Sequence, residues 1–401
     1  MTPVALKALL AAVLMTALPS SRADVVTDWN VTALGLTTAS PPQVEMRALS
    51  LMHVSMFDAV NAITRTHQAY MSPMPTAPAG ASAEAAAASA AHAVLVSIYP
   101  LQKAALDAAL QASLAKLPDG AGKSDGSALG RQVAEQCIAM RTGDGWNARV
   151  AYTPATAPGS WQAAPPSMGG FASVHWAEVK PFFLKSATEV SAPGPLAIDS
   201  PQYAKELDEV RRLGARHSTE RTADQTVAAI FTLMNGGQMW NAAARAASAA
   251  NGTSMPENAR IFAIINMAAL DAVIAGWEVK RKMGTWRPLT AIRAASSNGD
   301  PTWEPLINTP PHPDYLSGHS ATSGAWSRSL QLLFGNDGVP FSATFNNALT
   351  RRFGSFSQAA TEIENARIWA GIHTRTADEH ATALGRHVAE LAVQRGMPKL
   401  P

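Results

Sequence analysis

An eight-residue segment of the first half of this chain returns near its end. Ala128-Leu129-Gly130-Arg131-Gln132-Val133-Ala134-Glu135 reappears as Ala383-Leu384-Gly385-Arg386-His387-Val388-Ala389-Glu390, with seven of eight positions identical. A weaker echo precedes each copy. Arg47 stands before Phe57-Asp58-Ala59-Val60-Asn61-Ala62 as Arg260 stands before Leu270-Asp271-Ala272-Val273-Ile274-Ala275. Two landmarks in the same order predict two related helical units, near 45–145 and 257–397. Asp271 either pairs with an arginine or belongs to the packing of its repeat.

Local patterning supports helices in both units. Leu49, Met52, Met56, Val60 and Ile63 recur at three- and four-residue steps, the period of a buried helical stripe. Residues 81–98 are dominated by Ala, the strongest helix former, and stop before Pro100. Ser200-Pro201 reads as an N-cap followed by Pro at the first helical position. A helix is expected from about Thr219 to Ala247, and Pro256 opens the one leading to Lys280. Residues 154–200, rich in Pro, Gly and aromatics, read as an ordered crossover, since solvated linkers rarely carry rings such as Trp161, Trp176, Phe182 and Phe183. Period-two segments are few, so strands should be scarce. The expected fold is all-α: two packed helical bundles from related halves, divided at 24–155, 156–200 and 201–401.

Residues 1–23 read as an export signal. Lys7 supplies a positive start, Ala8 to Leu18 an apolar stretch too short to span a bilayer, and Ser21-Arg22-Ala23 a cleavage site. A mature chain from Asp24, secreted or periplasmic, is expected. No other stretch reads as a membrane span, so no stable membrane insertion is expected after cleavage. Without Lys7 and Arg22, 30 basic side chains face 30 acidic ones, leaving no basic excess for nucleic acid. The single cysteine, Cys137, excludes an intramolecular disulfide and a cysteine-based zinc site. Stability must come from core packing, for which 47% hydrophobic residues are ample.

Three fragments of the last third carry the chemistry: Lys280-x6-Arg287-Pro288, Ser317-Gly318-His319 and Arg367-x5-His373. Arg donates two parallel hydrogen bonds to phosphate-like oxygens from a fork that keeps its charge, and Lys280 adds a point charge. A Ser hydroxyl and the Gly318 amide, opening a helix, add donors aimed at an anion. Two imidazoles would complete a site for a tetrahedral or trigonal-bipyramidal oxyanion, one bonding its central atom and one moving protons. A zinc site from His373, Asp378, Glu379 and His380 is disfavoured, because the spacing is not His-Glu-x-x-His and arginines stand nearby.

In these fragments the chain resembles the superfamily of vanadium-dependent haloperoxidases and type-2 phosphatidic acid phosphatases. The wording of Trp286-Arg287-Pro288-Leu289, of His312 to Ser320 and of Arg367 to His373 is similar to the soluble haloperoxidase branch. That architecture is also two helical bundles. The resemblance implies that Lys280, Arg287, Ser317, Gly318 and Arg367 bind the oxyanion. It implies that His319 is the acid/base group and His373 the apical ligand of vanadate, or the phosphorylated nucleophile of a phosphatase. Lys280 would polarise peroxide.

Three departures stand out. Leu316 replaces a usual Pro, Ala366 replaces a usual Ser, and Ala377 sits where an Asp usually orients the apical His, with Asp378 one residue later. Asp378, Trp286 and His312 are candidates for surrounding roles. The leading expectation is a vanadate-dependent peroxidase acting on halide and hydrogen peroxide. The alternative is a secreted acid phosphatase that cleaves phosphoesters through phospho-His373 and needs no cofactor. A non-catalytic oxyanion binder would keep the cations but have no use for both histidines.

Overall fold

The computed structural model describes residues 24–37, 40–295 and 299–401. The expected export signal lies outside them. Helices α1 (Val25–Thr37), α2 (Pro42–Thr64), α3 (Ala83–Ile98), α4 (Lys103–Leu114) and α5 (Ala121–Met140) come first. Residues 141–200 cross over with a single short 3-10 turn among the described elements, Val174–Glu178. The helices α6 (Pro201–Leu213), α7 (Ala223–Phe231), α8 (Gly236–Asn251), α9 (Met255–Met283), α10 (Pro288–Ala294) and α11 (Gly318–Phe334) follow. A hairpin, β1 (Phe341–Phe345) and β2 (Leu349–Phe353), precedes α12 (Phe356–Trp369) and α13 (Arg375–Arg395).

The sequence repeat is a structural repeat. Helix α2 packs on α3 and α5 as α9 packs on α11 and α13, and α2 lies against α9, so both halves close over one core. The repeated glycines explain the approach of the helices. A Cβ on Gly130 of α5 would lie 2.1 Å from the carbonyl oxygen of Ala86 in α3, and one on Gly385 of α13 would lie 1.9 Å from that of Ala321 in α11. Ser82 caps α3 four residues before Ala86, as Ser317 caps α11 four residues before Ala321.

The repeated aspartates also do one job. Asp58 accepts from the amides of Tyr70 and Met71 at 2.8 and 2.9 Å. Asp271 accepts from those of Phe182, Phe183 and Leu184 at 2.7, 2.7 and 2.9 Å, and so belongs to the packing of its repeat. These bonds tie the aromatic crossover to α9. Backbone amides compensate the burial of each carboxylate.

Two expectations are corrected. The helix expected over 219–247 is two helices, because the chain breaks at Thr232–Asn235 before Gly236-Gly237. Thr232 is buried at the break, where its Oγ1 accepts from Arg367. Second, α9 is long and apolar enough to cross a membrane by length and composition, a stretch the sequence reading did not identify. It is the core helix instead, with 94% of its most apolar window buried.

Candidate active site

The clamp's spacing reflects one helix ending and another beginning. Gly284, at φ 54°, closes α9 with its amide on the Lys280 carbonyl, and Pro288 starts α10 with Arg287 as its N-cap. Glycine takes that left-handed turn without steric cost. Arg367 stands in the last turn of α12, and His373 follows at the entry to α13. Between them Gly371, at φ 82°, passes so near Gly214 that a Cβ would lie 2.4 Å from the Gly214 carbonyl oxygen. Ser317-Gly318-His319 forms the N-cap and first turn of α11.

These elements converge. His373, His319, Arg367 and Gly318 line one chamber of about 350 Å³, together with His312. Arg287, Lys280 and Ser317 are buried behind its wall. Nη1 of Arg287 donates to the Ile372 carbonyl at 2.6 Å and lies 3.1 Å from His373 Nε2, while its Nε donates to the His312 carbonyl at 2.6 Å. Lys280 Nζ donates to the carbonyls of Pro313 and Asp314 at 2.5 and 3.1 Å, gripping the loop that leads into α11. Arg367 Nη1 donates to Thr232 Oγ1 at 2.5 Å.

His373 Nδ1 lies 2.6 Å from Asp314 Oδ1, and Asp314 Oδ2 accepts from the Thr374 hydroxyl at 2.9 Å. The carboxylate fixes the tautomer, since Nδ1–H donates to it and Nε2 keeps its lone pair beside Arg287. Asp378, whose reach to His373 its position left open, bonds elsewhere. It stands on the first turn of α13, one residue after Ala377, and accepts from Ser320 at 2.6 Å. Trp286 also falls elsewhere: its Nε1 donates to Tyr203 Oη at 2.5 Å beside a small cavity that reaches Asp314. His312 stands at the heart of the site, with Nδ1 3.0 Å from Arg287 Nη2 and its ring 5.2 Å from that of Trp277.

Sequence reasoning assigned no role to Asp314 or Thr232. Asp314 was visible as an acid inside the His312–His319 lead-in, whereas Thr232 lies at the unforeseen break between α7 and α8.

Burial dominates the electrostatics. It pushes Arg287 and Arg367 down to about 10, still charged at neutral pH, and Lys280 well below the usual lysine range with Arg287 adding to the shift. Burial likewise drives His312, His319 and His373 well below the usual imidazole range, and neighbouring cations reinforce it. The imidazoles are therefore neutral near pH 7, so His373 Nε2 can act as a ligand. Burial raises Asp314 to about 6 against the opposing pull of Arg287 and Lys280, and raises Asp378 well above the usual carboxylate range.

An oxyanion fits this set. Two buried guanidiniums, Arg287 and Arg367, keep their charge beside the buried amine of Lys280, and Arg367 Nε is a buried donor with no partner among the described residues. Unpaired buried charge is costly, and an anion offering several oxygens removes that cost. The start of α11 adds the positive end of a helix.

Known proteins resemble this chain in sequence and in fold. Residues 260–399 match the family model of the VCPO second helical-bundle domain. Vanadium chloroperoxidase of Curvularia inaequalis is 39% identical over 79 residues, a match spanning 17% of this chain and only 13% of that protein. The crystal structure of a bacterial vanadium-dependent iodoperoxidase superposes with a TM-score of 0.80 at 26% identity, covering 93% of this chain and 95% of that one. A holo-type bacterial vanadium-dependent chloroperoxidase shares the fold with a TM-score of 0.75 at 17% identity, covering 94% and 98%. Residues 260–399 thus carry the second helical-bundle domain of the VCPO family, and the chain as a whole has the fold of the vanadium-dependent haloperoxidases.

Proposed function

We propose that this protein is an exported, vanadate-dependent haloperoxidase-like enzyme that oxidises halide with hydrogen peroxide. The observation that carries the reading is His373, whose neutral ring is fixed through Nδ1 by Asp314 while Nε2 stands among buried cations. Bound at Nε2, vanadate would supply a Lewis-acidic centre that activates peroxide for the two-electron oxidation of halide. Arg287, Arg367 and Lys280 would balance the charge of its oxygens, and the Gly318 amide and Ser317 would orient them. His319, held through the Thr232 carbonyl, would take and return a proton on the chamber side.

The same groups would stabilise a phosphoryl group in transit, so the alternative is an acid phosphatase with His373 as nucleophile. A paired assay separates them. Purified protein, with and without vanadate, receives bromide, peroxide and a cyclic diketone reporter, and separately an aryl phosphate. Vanadate-dependent bromination is expected. Aryl phosphate turnover that vanadate inhibits, without bromination, would replace this reading with the phosphatase.

A further inference from the structure

The chamber is far larger than peroxide and halide require. Its volume is about 350 Å³. A water's share of liquid volume is about 30 Å³, and peroxide and halide ions are of that order. The excess space is walled by Met46 of α2, Val273 and Trp277 of α9, and Trp326 of α11. All four are buried, at 6%, 2%, 5% and 0% exposure. Gln43 and Asn235 belong to the same wall. Small-molecule sites have this size and composition: a mostly apolar cleft with a few fixed polar groups. The apolar wall is continuous with the oxyanion groups, since His373, His319 and Arg367 line the same space.

We propose that the chamber binds an organic acceptor with an apolar, planar body, and that halogen transfer to it occurs beside His373 rather than in bulk solvent. This rests on the haloperoxidase reading for its chemistry and on the cavity alone for its binding. In the overall reaction the halide's electron pair reduces the O–O bond of peroxide, a C–H bond of the acceptor breaks and a C–halogen bond forms. Halide, hydrogen peroxide, acceptor and one proton give halogenated acceptor and two waters. Indole rings supply contact area for a flat ring system, and Gln43 or Asn235 can hydrogen-bond a hydroxyl on it. The N-terminal unit, which carries none of the three anion-binding fragments, thereby gains a role: α2 forms the acceptor wall.

The test uses 2-naphthol as probe. Calorimetric titration of the vanadate-loaded protein should show saturable binding. Met46→Trp and Val273→Phe fill the chamber from different helices, and a cooperative melting transition identifies which variants fold. Either folded variant should bind 2-naphthol at least about tenfold more weakly. In a second arm, 2-naphthol competes with the bulky anion phenol red for bromination. The enzyme should favour naphthol beyond the ratio given by free hypobromous acid, and the filled variants should fall back toward that ratio. Absence of saturable binding, binding that ignores both substitutions, or an enzymatic ratio equal to the reagent's would overturn the proposal. Binding without any bromination would sustain the apolar acceptor site and defeat the haloperoxidase reading instead.

Discussion

The carboxylate of Asp314 meets His373 Nδ1 at 2.6 Å from the loop before α11, not from the helix that follows the histidine. It accepts from Thr374 as well, and its own carbonyl receives Lys280. One residue thus ties His373, the entry to α13 and Lys280 together. Asp314→Asn should weaken vanadate binding by about 10–100-fold, the usual cost of removing an orienting partner, and broaden the bound signal in vanadium NMR. Asp378→Asn, whose partner is Ser320, should have a clearly smaller effect. An equal loss from both would return the orienting role to α13.

Arg287 is a test of geometry at constant charge. Its guanidinium reaches the His312 and Ile372 carbonyls and His373 together, which an ammonium cannot span. Arg287→Lys should weaken phosphate or vanadate binding by about 10–100-fold, the loss expected when a charged hydrogen bond worth about 1.5–3 kcal/mol goes. Unchanged affinity in an equilibrium titration would show that charge alone matters.

The two histidines should separate in their effects. His373→Ala should lose the tight, ring-bonded form of vanadate and leave only weak binding by the cations. His319→Ala should keep affinity while turnover falls by about 100–10,000-fold, the range of general acid–base catalysis. Identical behaviour in titration and turnover would abolish the division of roles.

Much of this was legible before any coordinates. The repeated Ala-Leu-Gly-Arg segments predicted related units because only glycine permits the helix approaches that Gly130 and Gly385 make. The cations and histidines were legible because their chemistry narrows what they can serve. Asp314 was visible in the lead-in but its role was not, and Thr232 was not legible at all, since each acts through a tertiary contact that spacing does not encode. Asp378 left the question open, since one position along a helix of 3.6 residues per turn turns a side chain by about 100°. The α7–α8 break was missed because the apolar pattern runs through it, while Thr232 turns inward to a tertiary contact with Arg367.

The repeat offers its own control. Adding a methyl group at Gly130 or Gly385 forces a Cβ against a backbone carbonyl, which cannot retreat as a side chain can. Either alanine variant should lose at least about 1–3 kcal/mol of stability from overpacking. Gly385→Ala should also displace α11, which carries Gly318 and His319, and weaken phosphate binding by the folded protein. Gly130→Ala lies in the other unit and should spare it. If Gly130→Ala weakens phosphate binding as much, the two units are coupled more tightly than their packing implies.

Glu45 gives the stability a pH dependence. Its carboxylate is buried near the chamber, accepts from Asn235 at 3.0 Å and has one oxygen without a partner among the described residues. Burial raises it from 4.5 to about 7. A raised carboxyl stabilises the fold fully only below the unfolded value, and this contribution disappears as pH climbs through 7. The difference corresponds to about 3 kcal/mol at ~1.36 kcal/mol per pH unit. Glu45→Gln keeps the shape and removes the ionisation. Its melting temperature should match the parent near pH 4 and exceed it at pH 8, with the gap opening between those values. A gap of constant size at both ends would mean that Glu45 does not titrate in this window, and that its burial is compensated by contacts other than Asn235 and Thr37.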